Sequence, residues 1–178
     1  LPHLRRAHEG PSEEDLQALK IFLSGMGFVI QDTADRFQLQ DILRRAQGRP
    51  DAALINLAVL KSMRRAEYSA ELIGHFALAS QHYSHYTSPI RRYADLALHQ
   101  VLDEFLTGRL DDQRRRWWAL RMPQIALWSS QTERRADGAE NELTKLKILR
   151  YLEKQPDAEY EGIITGVKPF GIFVGLTG

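Results

Sequence analysis

Imidazole, phenol and guanidinium groups are concentrated between His82 and Tyr93, where the sequence reads HYSHYTSPIRRY. This stretch holds two of the chain's six histidines, three of its six tyrosines and a pair of adjacent arginines. Imidazole can ligate a metal or transfer a proton, whereas guanidinium suits bidentate binding of phosphate. The residue types therefore predict either a metal site or an anion site.

The spacing of the histidines argues against a metal site. Four of the six histidines lie at positions 75, 82, 85 and 99. They match no zinc motif such as HExxH, and the chain has no cysteine. No cluster of aspartates stands close enough in the sequence to hold paired divalent cations. We therefore expect no metal ligand in this chain, and expect the histidines to provide hydrogen bonds and packing.

The two arginines follow a helix-start signal. Ser88 is a good N-cap and Pro89 suits the first helical position, so a helix is predicted from Pro89. Arg91 and Arg92 then fall in its first turn, where a cation is unfavourable by about 0.3–1 kcal/mol unless an anion offsets it. The arginines and the free N–H groups together predict a phosphate site. The alternative is a surface ion pair between Arg91 and Asp95, one turn later.

The elements that must position this stretch are mostly helical. Apolar residues at helical spacing predict helices over residues 13–26, 37–47 and 50–66, from 89 onward, and from 123 to about 153. A short strand is predicted over 75–79. Near the end of the chain, β-branched and aromatic residues flank Lys168-Pro169-Phe170-Gly171, which predicts a hairpin.

Composition sets the broad class. The chain has 178 residues, of which 43% are hydrophobic and 26% charged, as in soluble globular proteins. No apolar run is long enough to span a membrane, and the absence of cysteine fits a reducing, cytoplasmic location. A net charge of +1 does not by itself indicate a nucleic-acid partner. Since an isolated hairpin is only marginally stable, we expect the chain to be a segment of a longer polypeptide.

Several stretches, in order, resemble one protein family. GHFALASQHYSHYTSPIRRYADLALHQVL resembles the segment of the ribonuclease II / ribonuclease R exoribonuclease family with the pattern GHFGLAL, an aromatic-rich stretch and TSPIRRYPDLxxHR. RPDAALINLAVLKSMRRAEYS resembles the helix upstream of it, QTERRADGAENEL the downstream AERRAD helix, and YEGIITGVKPFGIFV the opening of an OB-fold RNA-binding domain. The resemblance implies an α+β fold. Residues 1–155 would be the mostly helical C-terminal portion of a mixed catalytic domain, and 159–178 the first hairpin of an OB-fold barrel.

The resemblance also implies an activity. It implies processive 3′-to-5′ hydrolysis of single-stranded RNA to nucleoside 5′-monophosphates by a monomer that is not membrane-bound. The family's Mg²⁺ is held by aspartates that lie upstream, in the other half of the same polypeptide, so this segment alone is expected to be inactive. The alternative is a catalytically inactive RNA-binding protein on the same fold.

The family's catalytic arginine corresponds to Arg91, which would neutralise charge that builds on the scissile phosphate. The resemblance and the local spacing assign RNA contacts to ten more residues: Thr87, Ser88, Arg92, Tyr86, His85, Tyr83, Glu140, Lys168, Phe170 and Phe173. The two phenylalanines match aromatic residues on which an OB-fold stacks single-stranded bases.

Overall fold

A computed structural model describes residues 1–30, 36–155 and 159–176. In chain order the elements are β1 (Arg5–Ala7), α1 (Glu13–Gly25), α2 (Arg36–Ala46), α3 (Ala52–Ser62), β2 (Glu67–Ser69), α4 (Tyr93–Leu106), α5 (Asp112–Leu152), β3 (Gly162–Lys168) and β4 (Gly171–Leu176). Helices with two antiparallel strand pairs confirm the predicted α+β class. The chain divides into two compact units, Leu1–Arg134 and Arg135–Gly178. No helix in the described ranges has the length and apolar character needed to cross a bilayer.

Helices α1 to α3 enclose one apolar core. Ser12 caps α1, because its hydroxyl accepts the Asp15 N–H at 3.2 Å. Buried side chains from all three helices and from the loop after α1 fill the core: Leu19, Leu23, Phe28, Leu39, Ile42, Ala46, Ile55 and Val59. The first two helices therefore lie where their apolar spacing predicts them.

The third helix differs from its prediction at both ends. It begins at Ala52 rather than Pro50, with Asp51 at the N-cap position, and it ends at Ser62 because the backbone at Met63 is extended. Its buried face carries Ile55, Val59 and Ser62. Burial of this face against the neighbouring helices, rather than the helix-start and helix-stop residues in the sequence, determines which side of the helix faces the core.

Strands β1 and β2 pair antiparallel, with Arg5 opposite Ser69 and Ala7 opposite Glu67. Neither strand is evident in the sequence, because each has only three residues and their pairing is not local. Next to them lies a second core, to which β2 contributes Tyr68, α4 contributes Ala97 and Val101, and α5 contributes Trp118 and Met122.

The strand predicted over 75–79 is absent, and this part of the described chain is a tight loop instead. The His75 N–H donates to the Ser80 carbonyl at 2.7 Å, and the Ser80 N–H donates back at 3.3 Å. Gly74 and Ala79 both have positive φ, at 88° and 54°. A strand cannot continue through such backbone angles. His75 keeps a single parallel bridge to His8.

The last helix is continuous from Asp112 to Leu152, so the prediction that it begins at Pro123 is wrong. A proline inside a helix removes one backbone hydrogen bond. Pro123 itself is exposed, but Trp118, Met122 and Ile125 around it are buried in the second core and hold the helix together through this point.

The predicted hairpin is confirmed in the second unit. β3 and β4 pair antiparallel with Lys168 opposite Gly171, so that Pro169 and Phe170 form the turn. A register irregularity lies between Ile164 and Gly166.

Candidate functional site

The segment that carries the two arginines is a turn, not the start of a helix. Helix α4 begins at Tyr93, with Arg92 at its N-cap in an extended conformation (φ −123°, ψ 110°). The Ser88 carbonyl accepts the Arg91 N–H at 3.3 Å and the Arg92 N–H at 3.0 Å. The prediction that Ser88 caps a helix starting at Pro89 is therefore wrong. We define residues 88–92 as the arginine turn.

Asp95 explains why this segment forms a turn. Its carboxylate is fully buried, and its Oδ2 accepts the Ser88 N–H at 2.9 Å and the Arg92 Nη2–H at 2.8 Å. Asp95 thereby binds both ends of the arginine turn. The alternative, a surface ion pair between Arg91 and Asp95, is therefore wrong: Asp95 pairs with Arg92 instead, and its carboxylate is buried.

Arg91 is left at the exposed tip of the arginine turn. Ile90 beside it is fully exposed, at 102% of its reference area. Within the described part of the chain no carboxylate lies within ion-pair distance of the Arg91 guanidinium, whereas Arg92 has Asp95. The two adjacent arginines therefore differ: the charge of Arg92 is offset internally, and that of Arg91 faces solvent.

Half-buried aromatic rings lie behind the arginine turn. His85 Nδ1 is 2.9 Å from the Tyr68 hydroxyl, and the Tyr83 ring meets the His85 ring edge-on at 5.9 Å. Burial, reinforced by the positive charges of Arg92 and Arg6, lowers the pKa of His85, and burial raises the pKa of Tyr68. His85 is therefore neutral at pH 7 and acts as a hydrogen-bonding partner rather than a cation.

Strand β1 ties this aromatic group to the rest of the first unit. The Arg6 N–H donates to the Tyr83 carbonyl at 2.8 Å, and the Arg6 guanidinium lies 4.8 Å from the centre of the Tyr68 ring. The same guanidinium donates to Glu133 of α5 at 2.7 Å. The sequence does not mark Arg6 as part of the site. Glu133 stands inside QTERRADGAENEL, where the resemblance points to Glu140 instead.

Tyr86 and Thr87 lie on the exposed side of the same segment. The Tyr86 ring stacks on His99 at 4.3 Å with 27° between the planes, and the Tyr86 carbonyl is 2.8 Å from His99 Nε2. Thr87 is exposed. Seven of the predicted site residues lie in one continuous stretch of the first unit: Tyr83, His85, Tyr86, Thr87, Ser88, Arg91 and Arg92.

The other predicted RNA-contacting residues belong to the second unit. Glu140 is exposed on α5. Lys168 ends β3, Phe170 is 82% exposed in the hairpin turn, and Phe173 lies on β4. The two phenylalanine rings meet edge-to-face at 6.2 Å. An exposed aromatic pair at a hairpin turn can act as a stacking surface.

The acidic side chains at the arginine turn do not fit a divalent-metal site. Across the described ranges, no group of three or more His, Cys, Asp or Glu side chains could hold a metal ion. Asp95 is bound to Arg92, and Glu133 to Arg6. What the turn offers is a guanidinium and polar groups suited to an anion.

Comparison with known proteins places this chain in a family. The RNB domain model matches residues 1–108, and the chain therefore belongs to the RNB domain family. The family resemblance seen in TSPIRRY is confirmed. Among its relatives, ribonuclease R 1 of Lactococcus lactis is 38% identical over 99% of this chain, and ribonuclease R of Aquifex aeolicus is 39% identical over 98%. The chain spans 22% and 25% of the length of these two proteins.

Solved structures agree in fold. Mycoplasma genitalium RNase R in complex with ribose methylated single-stranded RNA has a TM-score of 0.89 at 27% identity, covering 99% of this chain and 28% of that one. The same protein in complex with double-stranded RNA has a TM-score of 0.88 at 27% identity, covering 99% and 33%. Yeast Ssd1, a pseudonuclease, shares the fold with a TM-score of 0.53 at 21% identity, covering 72% and 17%.

Proposed function

We propose that the polypeptide to which this chain belongs is a 3′-to-5′ exoribonuclease that hydrolyses single-stranded RNA processively to nucleoside 5′-monophosphates. In this proposal Arg91 stabilises the negative charge that develops on the scissile phosphate. One observation carries the assignment: Arg91 stands exposed at the tip of a turn that Asp95 holds at both ends.

The physical argument rests on the difference between the two arginines. A guanidinium that already faces a carboxylate has part of its charge offset, as Arg92 has with Asp95. Arg91 can present its planar fork of N–H donors to two phosphate oxygens. A donor held in place before the reaction costs no reorganisation in the transition state, and removing one such donor costs about 10²–10³-fold in kcat.

The remaining predicted contacts divide into two roles. Tyr86 and Thr87, both exposed beside the arginine turn, would contact the RNA backbone directly. Tyr83, His85, Ser88 and Arg92 are half-buried and would support that surface. In the second unit, Phe170 and Phe173 would stack bases, with Lys168 reaching a phosphate and Glu140 lying along the RNA path.

The proposal includes a metal, for which the described residues offer no group of three or more His, Cys, Asp or Glu ligands. We expect Mg²⁺ to be required and to be bound by the rest of the polypeptide, because Asp95 is engaged by Arg92 and Glu133 by Arg6. We also propose a monomer in the cytoplasm. The boundary between a catalytic portion, 1–155, and an OB-fold hairpin, 159–178, remains a prediction.

The competing function is RNA binding without hydrolysis. A pseudonuclease, yeast Ssd1, shares the fold, although at 21% identity the likeness concerns the fold alone. The full-length polypeptide, incubated with Mg²⁺ and a 3′-labelled single-stranded RNA, should release the labelled mononucleotide, and chelation of the metal should stop the release. Binding of the RNA with no mononucleotide released would establish the binding protein instead.

The role of Arg91 is tested by substitution in the same full-length polypeptide. Arg91→Ala should lower kcat by about 10²–10³-fold while RNA affinity changes much less, because the contact strengthens in the transition state. Arg91→Lys should also lose turnover, since an ammonium group cannot replace the bidentate fork. Arg115→Ala, at an exposed position of α5, is the control and should leave turnover unchanged. Equal losses in kcat and affinity for Arg91→Ala would indicate a binding role.

A further inference from the structure

The most deeply buried charged side chain of the site belongs to Asp95. Its residue is 0% exposed, whereas the Arg92 side chain paired with it is 23% exposed. Asp95 also lies in the first turn of α4, where the helix dipole favours an anion. Burial of a carboxylate is costly unless it is paired and hydrogen-bonded. Its position must therefore be supported by the groups it binds.

The groups that Asp95 binds are the two ends of the arginine turn. A single oxygen, Oδ2, accepts from the Ser88 backbone and from the Arg92 side chain, which lie on either side of Pro89, Ile90 and Arg91. The Ser88 carbonyl in turn accepts the N–H groups of Arg91 and Arg92. The backbone that carries Arg91 is thus fixed from both sides by a residue that does not itself reach the tip.

The hydrogen bonding around this carboxylate is incomplete. Asp95 Oδ1 and Arg92 Nε are both buried, and neither has a hydrogen-bond partner among the described residues. Two unmet polar groups reduce the stability that the pair can add to the fold. Because the arrangement is not the most stabilising one, its value lies in the geometry it imposes on the turn.

We infer that Asp95 is a positioning residue for catalysis: it offsets the charge of Arg92 and holds the arginine turn so that Arg91 alone presents its guanidinium to the scissile phosphate. This inference rests on the proposed role of Arg91. Asp95 is fully buried and acts only through the turn.

The inference predicts a specific dependence between two substitutions in the full-length polypeptide. Asp95→Asn keeps the shape of the side chain but removes its charge, and should lower kcat by about 10-fold or more with KM changed by less than about 3-fold. If Asp95 acts through Arg91, the same substitution made in an Arg91→Ala background should change kcat by less than about 2-fold. Asp103→Asn is the matched control, because Asp103 is an exposed, ion-paired aspartate on the same helix. It should leave kcat unchanged in both backgrounds.

The outcomes separate the inference from the function on which it rests. If Asp95→Asn lowers kcat by the same factor with and without Arg91, the residue has only a structural role and the inference is overturned. If kcat is unaffected by Asp95→Asn, the inference is equally overturned. If Arg91→Ala retains full turnover, the proposed function itself fails, and the inference with it.

A second variant is needed if Asp95→Asn does not fold. Thermal unfolding followed by circular dichroism shows whether Asp95→Asn is folded at the assay temperature. Where it is not, Asp95→Glu keeps the charge and displaces the carboxylate by one methylene group. A role for charge alone predicts unchanged turnover for Asp95→Glu, which would overturn the inference. A positioning role predicts a loss of kcat that again disappears in the Arg91→Ala background.

Discussion

The ion pair between Arg6 and Glu133 fastens β1 to α5 directly behind the aromatic group of the site, and its contribution to stability can be tested. The two charged groups are 2.7 Å apart, with their side chains 13% and 33% exposed. Glu133→Gln is a suitable perturbation, because the amide keeps the size of the side chain and can still accept a hydrogen bond, while the negative charge is lost. The guanidinium of Arg6 then lies over Tyr68 without its counter-charge.

The expected magnitude follows from this partial burial. Exposed ion pairs contribute about 0–1 kcal/mol, whereas removing one partner of a fully buried pair costs about 3–5 kcal/mol. With Arg6 mostly buried and Glu133 partly so, Glu133→Gln should lower the free energy of unfolding by about 1–3 kcal/mol. The loss should persist in high salt, since buried pairs are screened much less than exposed ones.

The assay is urea unfolding of the 178-residue chain, followed by the fluorescence of its tryptophans, of which Trp118 is buried in the adjoining core. The matched control is Glu67→Gln. Glu67 also faces an arginine, Arg134 at 4.0 Å, but both side chains are about half exposed, at 57% and 45%. We expect almost no change for Glu67→Gln. Equal losses for the two variants, or no loss for Glu133→Gln, would refute the argument that burial determines the contribution of these pairs.

Three further results are expected. Burial lowers the pKa values of His75 and His85 below the value they take in the unfolded chain, so the unfolded state binds more protons between the two values. The free energy of unfolding should therefore be at its full value above about pH 6.5 and decrease as the pH falls through the folded-state pKa values. A variant with both histidines replaced by glutamine should show a flatter dependence of this free energy on pH. Identical pH profiles for the two proteins would contradict this. Gly74→Ala should destabilise the chain by about 1–2 kcal/mol in urea unfolding, because φ is +88° and the new Cβ would lie 3.4 Å from the Ser80 carbonyl oxygen. Gly138→Ala, inside α5 with open space around it, is the control and should raise helix stability. A neutral Gly74→Ala would count against strain in that loop. In the full-length polypeptide, Phe170→Ala should weaken single-stranded RNA binding by about 1–3 kcal/mol in a fluorescence-anisotropy titration, and unchanged affinity would remove the hairpin turn from the RNA contact.

The features that the sequence predicted well are those specified by neighbouring residues. The apolar spacing within each segment predicts α1 and α2 where they lie, and the turn between β3 and β4 is defined by the residues that form it. The family resemblance in TSPIRRY depends only on consecutive residues. Signals of this kind do not depend on the rest of the fold.

The features that the sequence did not predict depend on tertiary contacts rather than on local spacing rules. Local sequence rules predict that α4 begins at Pro89. The Ser88 N–H instead donates to Asp95, seven residues later, and the segment forms a turn. Arg6 and Glu133 are 127 residues apart, so no spacing rule connects them. Pro123 suggests a helix boundary, yet the buried residues around it keep α5 continuous. The identity of the site was therefore predictable, but the contacts that shape it were not.

The pairing of β1 with β2 has a consequence for how this family can vary. Residues 8 to 66 leave and return at two adjacent strands, so α1, α2 and α3 form an excursion between fixed anchor points. Insertions or deletions within such an excursion change the length of a closed loop, which costs little free energy per added residue. They need not move Arg6, Tyr68 or the arginine turn. The length of the helical excursion can thus change while the geometry around Arg91 stays the same.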